Sequence, residues 1–122
     1  VAELVVDGQR VVLRLSGWER FSALRRGDVV VPRTAVGSVR VVEDVLAEVR
    51  GLRAPGLEVP RVVRVGTWRR RGAPPDFVVA RRGEPGLVVE LSGERWGRLV
   101  VGTPDAVTAR ELALRLLGQQ PR

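Results

Sequence analysis

The sequence predicts a single, mainly β domain closed by one C-terminal α-helix. Three observations carry this. Short valine-rich runs recur along the chain, the connections between the later runs are brief, and one apolar stripe at three- and four-residue spacing stands near the C-terminus. Valine is stiff at χ1 and suits the pleated surface of a sheet. A chain of 122 residues fits one domain and buries roughly two-thirds of its unfolded surface.

Taken in order, Leu4 to Val6 forms a short strand, turned back by Asp7-Gly8, a dipeptide suited to hairpin turns. Val11 to Leu15 alternates with Arg14 outward. The segment Trp18 to Arg25 is expected to form a short helix. Asp28 to Val31 is an apolar run stopped by Pro32, and Val36 to Glu43 has Val39 and Val41 on one face with Arg40 on the other. A turn of helix is expected at Val45 to Val49. The stretch RGLRAPGLEVP (50–60), with two prolines and two glycines, is expected to be the longest irregular connection. Later strands are Val62 to Arg69, Asp76 to Ala80, Leu87 to Leu91 and Trp96 to Val101.

The turns RRRGAPP (69–75), RRGEPG (81–86) and SGER (92–95) are too short for parallel crossovers, so the second half reads as an up-and-down antiparallel meander. Thr103-Pro104-Asp105 marks a helix start, with Thr as N-cap and Pro at the first helical position. The helix then runs over about 104–117. Ala106, Ala109, Leu112, Ala113, Leu116 and Leu117 form its buried stripe, Thr108, Glu111 and Arg115 its outer face, and Gly118 ends it. Gln119 to Arg122 should fray.

Composition narrows the chemistry. His, Cys, Met, Tyr, Lys, Ile and Asn are all missing, and all 21 basic residues are Arg. G/C-rich codon usage accounts for most of this bias, but not for the missing His and Cys. Without imidazole, thiol, amine or phenol, the usual general acids, nucleophiles and soft metal ligands are gone. The expectation is a non-enzyme with no catalytic residues, no metal and no cofactor. Hydrophobic residues make up 44% and aromatics 4%, so the core is built of Val, Leu and Ala around Trp18, Trp68, Trp96, Phe21 and Phe77. No apolar stretch approaches a membrane span, and VAELVVDGQR is not a signal peptide, so a cytoplasmic location is expected. Val1 stands where an initiator Met would, as in a processed or trimmed chain.

A formal net charge of +7 favours anionic partners. The densest positive charge is the turn TWRRRGAPPD, where Arg69, Arg70 and Arg71 follow Trp68. Arginines beside an aromatic clamp phosphates or stack on bases. Arg81-Arg82 should lie at the opposite sheet end, since one strand separates the two clusters. The prolyl segment, with Arg50 and Arg53, is either a second candidate binding element or a covering strap over an open barrel edge. Arg26-Gly27-Asp28 spells an adhesion tripeptide but is explained by a helix stop before a strand. Glu43-Asp44 reads as a solvated strand end or a cap rather than a cation site. No glycine-rich phosphate loop is present.

LSGWERFSALRRGDVVVPRTAVGSVRVVED (15–44), RGLRAPGLEVPRVVRVGTWR (50–69) and LVVELSGERWGRLVVGTPDAV (87–107) resemble the bacterial PH-like (pleckstrin-homology-like) domain proteins of actinobacteria. The resemblance covers nearly the whole chain. Its most specific part is the middle block, 50–69, which keeps Arg53-Ala54-Pro55-Gly56 of the family pattern, while Arg61 replaces a glycine of that pattern after Pro60. It implies a partly open antiparallel barrel of two roughly orthogonal sheets, capped by the C-terminal helix, and no catalytic residues. The function expected is a binding or scaffold module for protein–protein interaction. The alternative is an anion-binding module, for acidic lipid headgroups or nucleic acid, acting through Arg69 to Arg71. Weak, non-specific anion binding is expected in either case.

Overall fold

The computed structural model describes residues 3–6, 9–14, 29–49, 52–59, 63–70 and 72–118. Its elements are β1 (Glu3–Val6), β2 (Arg10–Arg14), β3 (Val29–Pro32), β4 (Val36–Val42), β5 (Leu52–Val59), β6 (Val63–Arg70), β7 (Ala73–Arg81), β8 (Gly86–Leu91), β9 (Arg98–Gly102) and α1 (Ala106–Leu116). Short 3-10 turns occupy Arg33–Ala35 and Val45–Glu48. The fold is mainly β, with one C-terminal helix.

The strands form two sheets. One is three-stranded and antiparallel, in the order β1-β2-β3. The other has six strands in the order β4-β8-β9-β7-β6-β5. Neither closes into a barrel. The six-stranded sheet is mixed, because β9 lies between β7 and β8 and runs parallel to β7. The antiparallel meander expected for the second half is therefore corrected at this point. The connection 82–85 is short, yet it hops over one strand. Two interstrand spacings are about 10 Å, which three or four extended residues span. The sequence of the three inner strands explains the insertion. Phe77 to Ala80, Leu87 to Val89 and Leu99 to Val101 are buried on consecutive residues, so both of their faces need cover.

One face is covered by the three-stranded sheet and α1. Leu4, Val11, Leu13, Val29 and Val31 meet Val65, Phe77, Val79, Leu87, Val89, Leu99 and Val101 there. Ala109, Ala113 and Leu116 of the helix join them, with Leu112 partly buried. Trp96 packs edge-on to Phe77, with ring centroids 5.1 Å apart, and Arg95 stacks over Trp96 at 4.9 Å. The opposite face has a smaller cover, the strap Asp44–Val49. Val45 sits on Trp68, Val78, Ala80, Val88 and Val100, flanked by Val42, Leu46 and Val49. Gly86 makes this seat possible, since a Cβ there would overlap the Val101 carbonyl and the Val45 side chain.

Several expectations change in detail. The segment 50–60 holds strand β5, not an irregular loop. It is an edge strand, where Pro55 and the register shift between Arg53 and Gly56 are tolerated. The β6–β7 hairpin is tighter than expected, because Arg70 already pairs with Ala73 and Gly72 takes φ 72°. Asp105, not Thr103, is the N-cap of α1: its carboxylate accepts from the Thr108 amide at 2.7 Å. Thr103 is buried, and its hydroxyl donates to the carbonyls of Pro85 and Asp105. Ala106 and Leu117 are exposed. The turn at Val45 and the cap at Asp44, which accepts from the Leu46 amide, are as expected. The proposed helix at Trp18–Arg25, the tripeptide at Arg26 and the C-terminal Gln119–Arg122 lie outside the described residues.

Candidate functional site: the outward face of the three-stranded sheet

Alternation in the three-stranded sheet sends Leu4, Val11, Leu13, Val29 and Val31 inward. The intervening residues face out. Register places Val5 opposite Val12, and Val12 opposite Val30. The outward face thus carries a row of three valines across all three strands, where a one-sided antiparallel sheet ordinarily places polar residues. Val30 is 50% exposed, and Val5 and Val12 are half-buried. Along β2 this row is bracketed by exposed Arg10 and Arg14, each about 7 Å from Val12 at the strand rise. Pro32 stands opposite Arg10, and Glu3 opposite Arg14.

The sequence held the signal for this face. A half-buried strand should alternate, but ELVV, RVVLR and VVVP double or triple their valines. The surplus valine in each strand is the outward one. Codon bias and β propensity explain valine in strands, which hid the coincidence until register aligned the three.

The residues singled out in the sequence fare differently. Trp68 is 2% exposed and points under the strap, so it offers no open surface for stacking. This corrects the reading of Trp68 as part of an exposed clamp. Arg69 is exposed and follows Trp68 on the same strand, so the two point to opposite faces. Arg70 ends β6, and Arg53 lies on β5 in register with Trp68. Arg50 and Arg71 lie outside the described residues. Arg81 pairs with Val63 at the far end of the β6–β7 hairpin, so Arg81-Arg82 is separated from Arg69 as expected.

Shallow clefts lie among the described residues. One, of about 350 Å³, is lined by Gln9, Arg33, Thr34, Leu116, Leu117 and Gly118. There Arg33 donates to the Arg115 carbonyl and so caps the C-terminus of α1. Another, of about 340 Å³, lies between the strap and the hairpin end and is lined by Asp44, Leu46, Ala47, Arg64 and Arg82. Its two guanidiniums share the space with a carboxylate, which offsets part of their attraction for an anion.

The most buried charges are inside. Asp76 and Arg98 face each other across the parallel β7–β9 pair, with Nε and Nη2 of Arg98 both 3.0 Å from Oδ2 of Asp76. Nη2 also donates to the Glu48 carbonyl at 2.6 Å, and Arg40 pairs with the Glu48 carboxylate at 2.8 Å. This network fastens the strap. Sequence reasoning missed it because the pair forms only once β9 sits beside β7.

Among the described residues, no three carboxylates gather as a cation site, and no helix is long and apolar enough to cross a membrane. Comparison with protein families, curated proteins and solved structures gives no match.

Proposed function

We propose that this chain is a non-enzymatic binding module on a PH-like scaffold, and that it engages a protein partner. The PH-like assignment rests on the sequence resemblance, the sheet-dominated fold and the C-terminal helix. The six-stranded mixed sheet departs from the simple meander that the resemblance implies.

One observation carries the functional reading. Over the inner strands of the six-stranded sheet both faces are occupied by the chain's own covers, whereas the three-stranded sheet turns an in-register apolar row to solvent. Apolar groups gathered on a rigid sheet lower their free energy when a partner removes them from water. The composition supports a non-enzymatic role, because the side chains that most often carry catalysis are missing.

The test is affinity capture from native host cells followed by mass spectrometry, comparing the parent with Val12→Ser/Val30→Ser. The reading requires a discrete protein that is retained by the parent and lost by the variant, while both melt alike. A protein retained equally by both would contradict it.

A further inference from the structure

We infer that β4 is the seam of a two-fold dimer, its open edge pairing antiparallel with the same strand of a second copy. Hydrogen bonds along β8 fix which groups of β4 face outward. Leu91 donates to the Gly97 carbonyl at 2.9 Å and Thr103 to the Pro85 carbonyl at 2.8 Å, so odd-numbered residues over 85–91 turn their backbone groups to β9. The even-numbered ones, Gly86, Val88 and Glu90, serve β4 and stand opposite Val42, Arg40 and Ser38. The amides and carbonyls of Val39 and Val41 therefore point away from the sheet, and among the described residues they bond to nothing. The other sheet edges are blunted. β5 carries Pro55 and a register shift, β3 ends in Pro32, and β1 is four residues long. β4 has seven residues and no proline, and its register shift lies at its start, between Val36 and Ser38.

An open strand edge is matched by another extended backbone. A second β4 is already extended, whereas a free peptide loses backbone entropy at every residue it orders. Pairing two copies also satisfies both edges at once. A two-fold axis through Val41 opposes Val41 to itself, Arg40 to Val42 and Val39 to Glu43, with no like charges facing. An axis through Arg40 would oppose two guanidiniums, which selects the first register. Val41 is 43% exposed, and the axis covers it with its own copy. The net charge of +7 does not bar this contact, because charge is balanced locally: Arg40 pairs with Glu48, and Glu43 and Asp44 follow the strand. A seam of one strand on another is a small interface, so the dimer is weak and reversible.

The chain has no cysteine, so a single introduced one reports on the seam. Across an antiparallel hydrogen-bonded pair the Cα atoms lie about 5.5 Å apart, within the span of a disulfide. Under mild oxidation, Val41→Cys should link into a dimer about ten-fold faster, or more, than Val107→Cys, a position of like exposure on α1. Sedimentation of the parent should show a monomer–dimer equilibrium at concentrations up to about 1 mM. Val41→Lys sets like charges on the axis and should abolish the dimer. Val41→Pro deletes only an outward N–H, which an edge strand tolerates, and should do the same. Either variant that melts like the parent decides the point. Val12→Ser/Val30→Ser should dimerise as the parent does, since the seam shares no residue with the valine row. A parent that stays monomeric, equal linkage rates at positions 41 and 107, or a dimer that survives the changes at Val41 would each overturn the inference. Loss of the dimer in Val12→Ser/Val30→Ser would overturn it too, by moving the seam to the valine row. A host protein captured at position 41 by a chain that is monomeric when pure would replace the second copy with a foreign strand.

Discussion

The two faces of the six-stranded sheet are closed by unequal means. One lies under a three-stranded sheet and a helix, with a continuous apolar core. The other lies under a strap whose single 3-10 turn places one fully buried side chain, Val45, on the sheet. Burying a valine contributes about 1.5–3 kcal/mol, which is little to hold a segment whose ordering costs about 1–2 kcal/mol per residue. The strap is therefore also fastened by polar contacts, through Arg98 to the Glu48 carbonyl and Arg40 to the Glu48 carboxylate. A broad cover holds by area alone. A narrow one needs directional bonds, and here these require a charge that Asp76 compensates inside the protein.

Breaking that compensation should give the largest effect. Asp76→Ala leaves the Arg98 guanidinium buried without its carboxylate, and about 3–5 kcal/mol of stability should disappear in urea denaturation. Replacing both residues by Leu should be far milder, because no lone charge remains. In that double variant, amide hydrogen exchange should nonetheless quicken over residues 45–49, where the Glu48 carbonyl loses its donor. Equal losses for the single and double variants would show that the pair does not act as a unit.

On the broad face, Leu116→Asp should cost several kcal/mol, because it places an unpaired carboxylate in the core. Leu112→Asp should also destabilise, but less, since Leu112 is only partly buried. Glu111→Ala, on the exposed side, should stay within about 0.5 kcal/mol. Identical melting temperatures for the three variants would refute the packing of α1.

A middling effect is expected at the narrow cover, where Val45→Ala should cost about 1–2 kcal/mol and act mainly on the strap. A smaller one belongs to the cap of α1. The backbone hydrogen bond from Thr108, and then its side chain, hold the Asp105 carboxyl below its ordinary value of 3.8. A lowered folded-state value means that this contribution is present above the unfolded value and lost as pH falls through the folded one. Asp105→Asn should therefore lie slightly below the parent in melting temperature at about pH 7, and the gap should close toward about pH 2. A gap that widens on acidification would contradict the assignment.

The valine runs and the Thr-Pro-Asp sequence made most elements legible, because strand and helix periods are local. The core stripe of α1 was readable at Ala109, Ala113 and Leu116 for the same reason. Strand order was not local. A short connection fixes how far the chain travels, not which strand later fills the gap, and so the place of β9 beside β7 was missed. With it went the Asp76–Arg98 pair. Strand β5 was hidden by Pro55, which an inner strand excludes and an edge strand accepts. At the candidate site, Trp68 was read from its arginine neighbours, yet alternation alone puts Trp68 and Arg69 on opposite faces, and burial then selects the tryptophan. The valine row needed register between three strands, which single-strand reading does not supply.

The account and the anion alternative predict different outcomes at the hairpin. Changing Arg69, Arg70 and Arg71 together to Ser should barely alter a weak, salt-sensitive attraction to acidic vesicles and short DNA, since dispersed charge acts through counterion release. Tight binding by the parent that vanishes in this folded variant would move the site to the hairpin.

The most direct measurement compares two valines of like exposure. Val30 on β3 is 50% exposed and Val107 on α1 is 54% exposed. A photo-crosslinking residue placed at each position in turn, in native host cells, reports what touches each surface. The account predicts a discrete crosslinked protein from position 30 and only background from position 107. A partner captured at 107 and not at 30, or at neither, would contradict the outward sheet face as the binding surface.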